Sequence, residues 1–249
     1  MRIRLMRTGL TQRNHTLYSA IADASSQTTL AKTLFEIGAV FGFSATTLMI
    51  MPAKTDRSIA ALVLESNLGP EFFKALDIAC PADTCPIYVS VRRTVLPIAW
   101  SVEQIERQHT LMSAPKPPVL AHFRAYNLSG GLLLPLSSID GTRHVIRFDG
   151  DRTATLQEET NDLFMLSMHF FDAYDRARYP MGNNPLGLTE RELDVVRWSA
   201  TGKTSAEIGL ILSLSDHTIN AYMNNALKKL DCVNRTQLVA KALRMRIIS

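Results

Sequence analysis

Four helix-start signals follow one another between Leu188 and Ile248, and they leave little choice of fold for that stretch. Thr189 with Glu192 is a T-x-x-E capping box, in which hydroxyl and carboxylate satisfy amides that a helix start leaves without partners. Thr204 with Glu207 repeats the device. Ser215 stands just before a third periodic run, and Asn234 with Gln237 opens a fourth. The second and third runs are joined by only Leu212-Ser213-Leu214-Ser215, the tight connection of a helix-turn-helix.

In the third run Ile219, Met223, Ala226 and Leu230 recur at helical spacing and predict a buried stripe. The opposite face carries His217, Asn220, Ala221, Asn224 and Lys228. Asn pairs bidentately with adenine, a small Ala meets a thymine methyl, and Lys sits on phosphate or guanine. A solvated helix face has the same polarity, so charge and the tight turn decide between the two readings. From Leu188 onward nine Lys and Arg face six acids, which places three of the chain's four net positive charges here.

The run of Thr189, Arg191, Glu192, Trp198, Ala200, Gly202, Lys203, Thr204, Glu207, Ile208, Thr218, Lys229, Leu230, Asn234 and Arg235 resembles the DNA-binding domain of LuxR-family bacterial transcription regulators along the module's whole length. Tyr222, Val196 and Gly209 depart from the family's usual His, Leu and Ala. The resemblance implies phosphate contacts from Lys203, Thr204, Thr218, Lys229 and Arg235. Base contacts are expected from His217, Asn220, Ala221 and Asn224, with Lys228 on either.

At 249 residues the chain has room for a second, larger domain. A hydrophobic share of 46% with 20% charged residues fits a globular protein, and no apolar run approaches a membrane span. The arginines of the first seven residues lack a secretory pattern and are read as a solvated end. Two prolines and two glycines between residues 178 and 187 mark a linker. The expected organisation is a sensor and dimerisation domain at 1–177, the linker at 178–187 and the DNA-binding domain at 188–249.

In the first domain, 19–24 and 29–43 read as helices, 45–51 and 59–64 as strands, and 70–76 and 85–93 as short helices. Residues 131–136 and 143–148 read as strands joined at Asp140-Gly141. A long amphipathic helix at 156–176 starts with Thr155 and Glu158, and Leu156, Leu163, Phe164, Leu166, Phe170, Phe171 and Tyr174 form its apolar side. The fold class is therefore α+β: an α/β/α sandwich around an antiparallel sheet, plus a four-helix module. In LuxR-like chains the long helix commonly contributes to a homodimer interface.

The same resemblance implies a pocket for an N-acyl-homoserine lactone, built here around Phe72, Leu76, Cys85, Trp100 and Gly131. Pro97-x-x-Trp100 matches the family's Pro-x-x-Trp, whose indole N–H donates to the lactone carbonyl. Gly131 and Pro135 match its Gly-x-x-x-Pro strand. Cys85-Pro86 stands where the family has Asp-Pro, and Leu76 replaces a Tyr, so the acceptor for the ligand's amide and a hydroxyl are missing. A standard lactone is accordingly not expected; another apolar or neutral ligand, or none, remains open. Trp100 also reads simply as a core aromatic.

Three cysteines, Cys80, Cys85 and Cys232, fit a reducing cytoplasm without disulfides. Cys80 and Cys85 offer a redox pair or half a metal site. No second Cys or His cluster follows at ligand spacing, so neither metal nor cofactor is expected. His109 and His122 flank the proline-rich loop at 114–118 and read as solvated. No hydrolase elbow, phosphate loop or dinucleotide turn appears, so the chain is not read as an enzyme. The expected function is a cytoplasmic, homodimeric regulator on a pseudo-palindromic promoter site, with RNA polymerase as a further partner and no membrane. The alternative is an interaction protein that heterodimerises with another regulator.

Overall fold

The structure is a computed structural model that describes residues 2–82, 85–111, 118–152, 155–178, 187–245 and 247–248. The chain forms two compact units, parting after Arg178, with the short stretch Ile139–Gly141 grouping with the second. The expected linker lies, apart from residues 178 and 187, outside the described residues, as do Asp83 and most of the proline-rich loop.

The first unit comprises helices α1 (Arg2–Asp23), α2 (Gln27–Val40), α3 (Pro70–Ala79), α4 (Pro86–Val91), α5 (Val102–Leu111), α6 (Val119–Ala125) and α7 (Gln157–Arg178). Its strands are β1 (Ala45–Ile50), β2 (Val63–Ser66), β3 (Ile98–Ser101), β4 (Gly130–Ser137) and β5 (Arg143–Gly150). They form one antiparallel sheet in the order β2-β1-β5-β4-β3. The tight β4–β5 turn uses Gly141 at φ 80, a left-handed conformation that glycine adopts without strain.

Side chains alternate across a strand, and here both faces are covered. Leu132, Leu134, Leu136, Ile146 and Phe148 point to one face, where they pack with Leu17 and Ile21 of α1, Leu34 and Ile37 of α2, and Leu166 and Phe170 of α7. Ala45, Met49, Leu133 and Val145 point to the other, under Phe72 and Leu76 of α3, Tyr88 of α4, Ile105 of α5 and Phe123 of α6. The α/β/α sandwich of the sequence reading is the observed architecture.

Several local readings need correction. The first residues are helical from Arg2 rather than a loose end; Leu17 and Ile21 are buried and anchor the C-terminal part of α1. The strand expected at 59–64 is displaced to Val63–Ser66. The Asp77 carboxylate accepts from the Ile59 amide at 2.5 Å and from the Ser58 hydroxyl at 2.7 Å, folding that stretch into a short 3-10 turn at Ala60–Leu62. The long helix starts one residue later than read, with the Glu159 carboxylate accepting from the Leu156 amide ahead of its first turn. Leu156 lies ahead of the helix and is 72% exposed. Strand β3 and helices α5 and α6 carried no clear sequence signal: β3 has only four residues, and α5 buries only Val102 and Ile105.

The second unit holds α8 (Glu190–Ala200), α9 (Ser205–Leu212), α10 (Asp216–Lys229) and α11 (Arg235–Arg244). Both capping boxes form as read, with each carboxylate returning to its cap amide, at 2.7 Å for Glu192 and 2.8 Å for Glu207. Ser215 and Asn234 cap α10 and α11. Ser213 takes the left-handed conformation that ends α9, and the Leu214 amide donates back to the Gly209 carbonyl at 2.9 Å. Val195, Val196, Ile208, Ile219, Met223, Ala226 and Leu238 make a core of its own.

Phe170 is fully buried against the sheet. Phe170→Ala should destabilise the first unit by about 3–5 kcal/mol through lost burial and a cavity. Urea unfolding of the variant checks this, and an unchanged midpoint would contradict the packing of α7.

Candidate DNA interface and sensor core

On α10 the expected division of faces is present. Ile219, Met223 and Ala226 are buried, and Leu230 is buried at the helix cap, while His217, Asn220, Ala221, Asn224 and Lys228 are exposed. The hydroxyl of Ser205, on the neighbouring α9, donates to Asn220 Oδ1 at 2.8 Å and orients that side chain on the exposed face. Thr204 and Thr218 lie at the starts of α9 and α10, where backbone amides collect positive potential suited to phosphate. Lys203 is beside Thr204 and pairs loosely with Glu207 at 3.4 Å.

Lys229 and Arg235, expected at phosphates, both have partners within the module. Lys229 Nζ donates to Glu192 Oε2 at 2.7 Å, and that carboxylate also caps α8. Burial works to raise the Glu192 carboxyl. The Lys229 and Thr189 hydrogen bonds outweigh it and hold the group below the ordinary carboxylate range. Arg235 donates to the Ser199 and Lys203 carbonyls, which closes the end of α8 onto the start of α11. Both cations hold helices together.

In the first unit Phe72, Leu76, Cys85 and Trp100 are all buried in one cluster on the α3–α6 side of the sheet. Gly131 pairs directly with Trp100 on one side and Asp149 on the other. A Cβ at Gly131 would lie 2.1 Å from the Phe148 carbonyl oxygen and 2.9 Å from both Trp100 Nε1 and Asp149 Oδ1. Glycine is therefore required for what sits there: Trp100 Nε1 donates to Asp149 Oδ1 at 2.9 Å.

The centre of this cluster is a set of residues absent from the sequence reading. Arg147 is 1% exposed; its Nε donates to Asp149 Oδ2 at 3.1 Å and its Nη1 to the Tyr88 hydroxyl at 2.5 Å. Its guanidinium also lies over the Tyr88 and Phe123 rings. Burial pushes the Asp149 carboxyl up, while Arg147 and the Trp100 N–H pull it back. The signal was in the sequence: in Val145-Ile146-Arg147-Phe148-Asp149 two opposite charges two residues apart point to one face of an otherwise apolar strand.

Cys80 and Cys85 are free and buried in the same cluster. A hydrogen bond from Cys80 lowers the Cys85 thiol, against burial and with help from Arg147. Among the described residues no three His, Cys, Asp or Glu side chains gather as a metal would need. His122 is half-buried against Phe72 rather than solvated, and burial lowers its pKa.

Residues 186–242 match the model of the luxR family of bacterial regulatory proteins. The chain carries a LuxR-family DNA-binding domain. The transcriptional activator protein BjaR1 of Bradyrhizobium diazoefficiens is 26% identical over 84% of this chain and 85% of its own. VjbR of Brucella ovis, a quorum sensing-dependent transcriptional regulator, is 52% identical over 61 residues, 24% of each chain. The crystal structure of Escherichia coli SdiA aligns at a TM-score of 0.68 with 16% identity, covering 96% of this chain and 99% of that one, which is a likeness of fold. With the LuxR-type module and these relatives, the chain is a DNA-binding transcription regulator.

Lys229→Met should leave Glu192 buried without its cation and destabilise the LuxR-type module by about 1–3 kcal/mol, the partial exposure of Lys229 moderating the loss. Because Glu192 is held low in the folded state, its contribution is present above the unfolded-state value near ~4.3 and is lost as pH falls through the folded value. The variant should therefore show a flatter acid limb in urea titrations. Unchanged stability with a salt slope of DNA binding reduced by about one would instead make Lys229 a phosphate contact.

Proposed function

We propose that this chain is a cytoplasmic, homodimeric transcription regulator that reads a pseudo-palindromic DNA site and works without an acyl-homoserine lactone. Residues 188–249 supply DNA binding and residues 1–177 supply dimerisation and sensing. The observation that carries the DNA reading is the exposed, acid-free set His217, Asn220, Ala221, Asn224 and Lys228 on α10, with Asn220 oriented from α9. Lys203, Thr204 and Thr218 fit phosphate contacts around it. Lys229 and Arg235 contribute by fixing the helices that present this face. Half-sites about one helical turn apart suit a two-fold dimer. The exposed Met165 and Met168 of α7, beside the open cleft between Tyr18, Ile21, His169 and Ala173, fit a self-complementary helical contact. Three buried free thiols suit a reducing compartment.

Independence from lactone rests on three positions. Cys85 replaces the acid that would accept the ligand's amide, Leu76 replaces a hydroxyl, and the Trp100 N–H is already engaged by Asp149. A charge-assisted hydrogen bond contributes about 1.5–3 kcal/mol, so the exchange of acid for thiol alone forfeits roughly 10- to 150-fold in affinity.

Asn220→Ala should cost about 1–3 kcal/mol on the preferred site and relax specificity there. Equal weakening on random DNA, measured by competition in mobility-shift assays, would remove Asn220 as a base reader. Protein produced without lactone should be folded and bind its site, and a panel of acyl chain lengths should leave that affinity unchanged. Insoluble protein rescued by one lactone, or a tenfold gain in DNA affinity on adding it, would overturn the reading.

A further inference from the structure

We infer that Cys80 and Cys85 form a modification site, a buried dithiol that hydrogen peroxide converts to an intramolecular disulfide and a small dithiol reductant restores. Such chemistry goes beyond DNA binding and needs no ligand in the first unit.

Backbone hydrogen bonds bring the two residues together. Cys80 ends α3, its amide donating to the Leu76 carbonyl at 2.8 Å. Cys85 precedes α4, and its amide donates to the Pro81 carbonyl at 3.0 Å, which brings the start of α4 back to the end of α3. Arg92 pins the same connection, donating to the Ala82 carbonyl and, at 2.8 Å, to that of Pro52. Within this tied turn the Cys80 thiol hydrogen-bonds to the Cys85 sulfur. Two cysteines whose side chains point apart cannot bridge without backbone movement; these two already face each other.

Their surroundings decide which sulfur reacts. The hydrogen bond from Cys80 holds the Cys85 thiol below its ordinary value against burial, with help from Arg147 and the Tyr88 and Ile87 amides. The thiolate is the nucleophile, so Cys85 attacks and Cys80 resolves. Cys232 gives the contrast within the chain. It packs in the separate core of the second unit, its Sγ donates to the Leu230 carbonyl at 3.3 Å, and burial pushes its pKa up. Access then selects the oxidant. Cys85 is closed from solvent, and Cys80 is 4% exposed beside the exposed Pro81. Bulky thiols are kept out, while peroxide needs only a small opening at the end of α3. A sulfenic acid on Cys85 therefore meets Cys80 before any external thiol.

The Cys85 thiolate attacks one peroxide oxygen; an S–O bond forms, the O–O bond breaks, and the departing hydroxide is protonated to water. The Cys80 sulfur, losing its proton, attacks the Cys85 sulfur. The S–S bond forms, the S–O bond breaks, and the second hydroxide takes that proton as water. Together the two sulfurs give two electrons to one peroxide.

The test treats full-length protein with hydrogen peroxide, denatures it in N-ethylmaleimide and follows its tryptic peptides by mass spectrometry. The peptide 75–92, which contains both cysteines, should become two hydrogens lighter and escape alkylation. This should run at least about tenfold faster than oxidation of Cys232, and dithiothreitol should reverse it. In guanidinium that lead should shrink to about twofold, since both sulfurs then react as ordinary thiols. Cys80→Ser keeps a hydroxyl donor for Cys85 but removes the resolving sulfur, so Cys85 should persist as sulfenic acid and take up dimedone. Alkylation of all three cysteines after peroxide, oxidation of Cys232 as fast as the pair, passage of wild-type Cys85 to sulfinic acid without a bridge, or an undiminished lead in guanidinium would overturn the proposal. Should the serine variant not fold, the wild-type measurements decide alone.

Discussion

The first unit depends on the hydrogen-bonded pairing of β4 with β5, because that register sorts every side chain of the two central strands. Eight residue pairs run without a break from Gly130↔Gly150 to Ser137↔Arg143. One set of alternate positions is apolar apart from His144 and forms the floor for α1, α2 and α7. The other brings Leu133 opposite Arg147 and Gly131 opposite Asp149, so the polar network lies on one face only. A slip of one residue would drive the arginine and the aspartate into the leucine side. The glycine at 131 follows from the same register, since the indole of Trp100 and the carboxylate of Asp149 meet across it.

Much of this was legible before the structure. The four caps of the LuxR-type module are local chemistry, set by residues three apart, and they form where Thr189, Thr204, Ser215 and Asn234 indicated. The two long strands were legible because β-branched and leucine-rich runs surround a glycine turn. Elements set by tertiary contacts were not. Asp77 captures the backbone at Ser58 and Ile59 from α3 and so moves the start of β2, and no pattern within residues 58–64 reports this. Strand β3 exists because β4 offers it an edge. In the sensor core, attention to the positions of the lactone pocket found Phe72, Leu76, Cys85, Trp100 and Gly131 on one side of the sheet. It overlooked Arg147, because a charged residue in an apolar strand is more readily assigned to an exposed edge.

The two halves of the chain use buried charge differently. Glu192 and Lys229 form a pair with one foot in solvent: the lysine is one-third exposed, and the carboxylate also caps a helix. Its geometry is complete, and its effect is to hold α8 to α10. Arg147 and Asp149 are both closed from solvent, and their set of partners leaves donors over. The first arrangement suits a module that must keep one shape against DNA. The second leaves Arg147 Nη2 without an acceptor in hydrogen-bond geometry inside a closed core.

That contrast also limits what resemblance to the LuxR motif reports. Thr189, Glu192 and Lys229 form one linked cap and ion pair; Lys203, Thr204 and Glu207 form another; Asn234 caps α11, and Arg235 closes the end of α8. Ile208 and Leu230 are core. Ten of the fifteen matched positions therefore take part in caps, ion pairs or core of the module. The exposed positions of α10 proposed as base readers, His217, Asn220, Ala221 and Asn224, lie outside the matched set. A scaffold fixed by one group of residues leaves the reading face free to vary, since changing an exposed Asn or His disturbs neither cap nor core. The likeness to the LuxR motif thus rests largely on residues that hold the helices, and the base readers proposed above lie outside it.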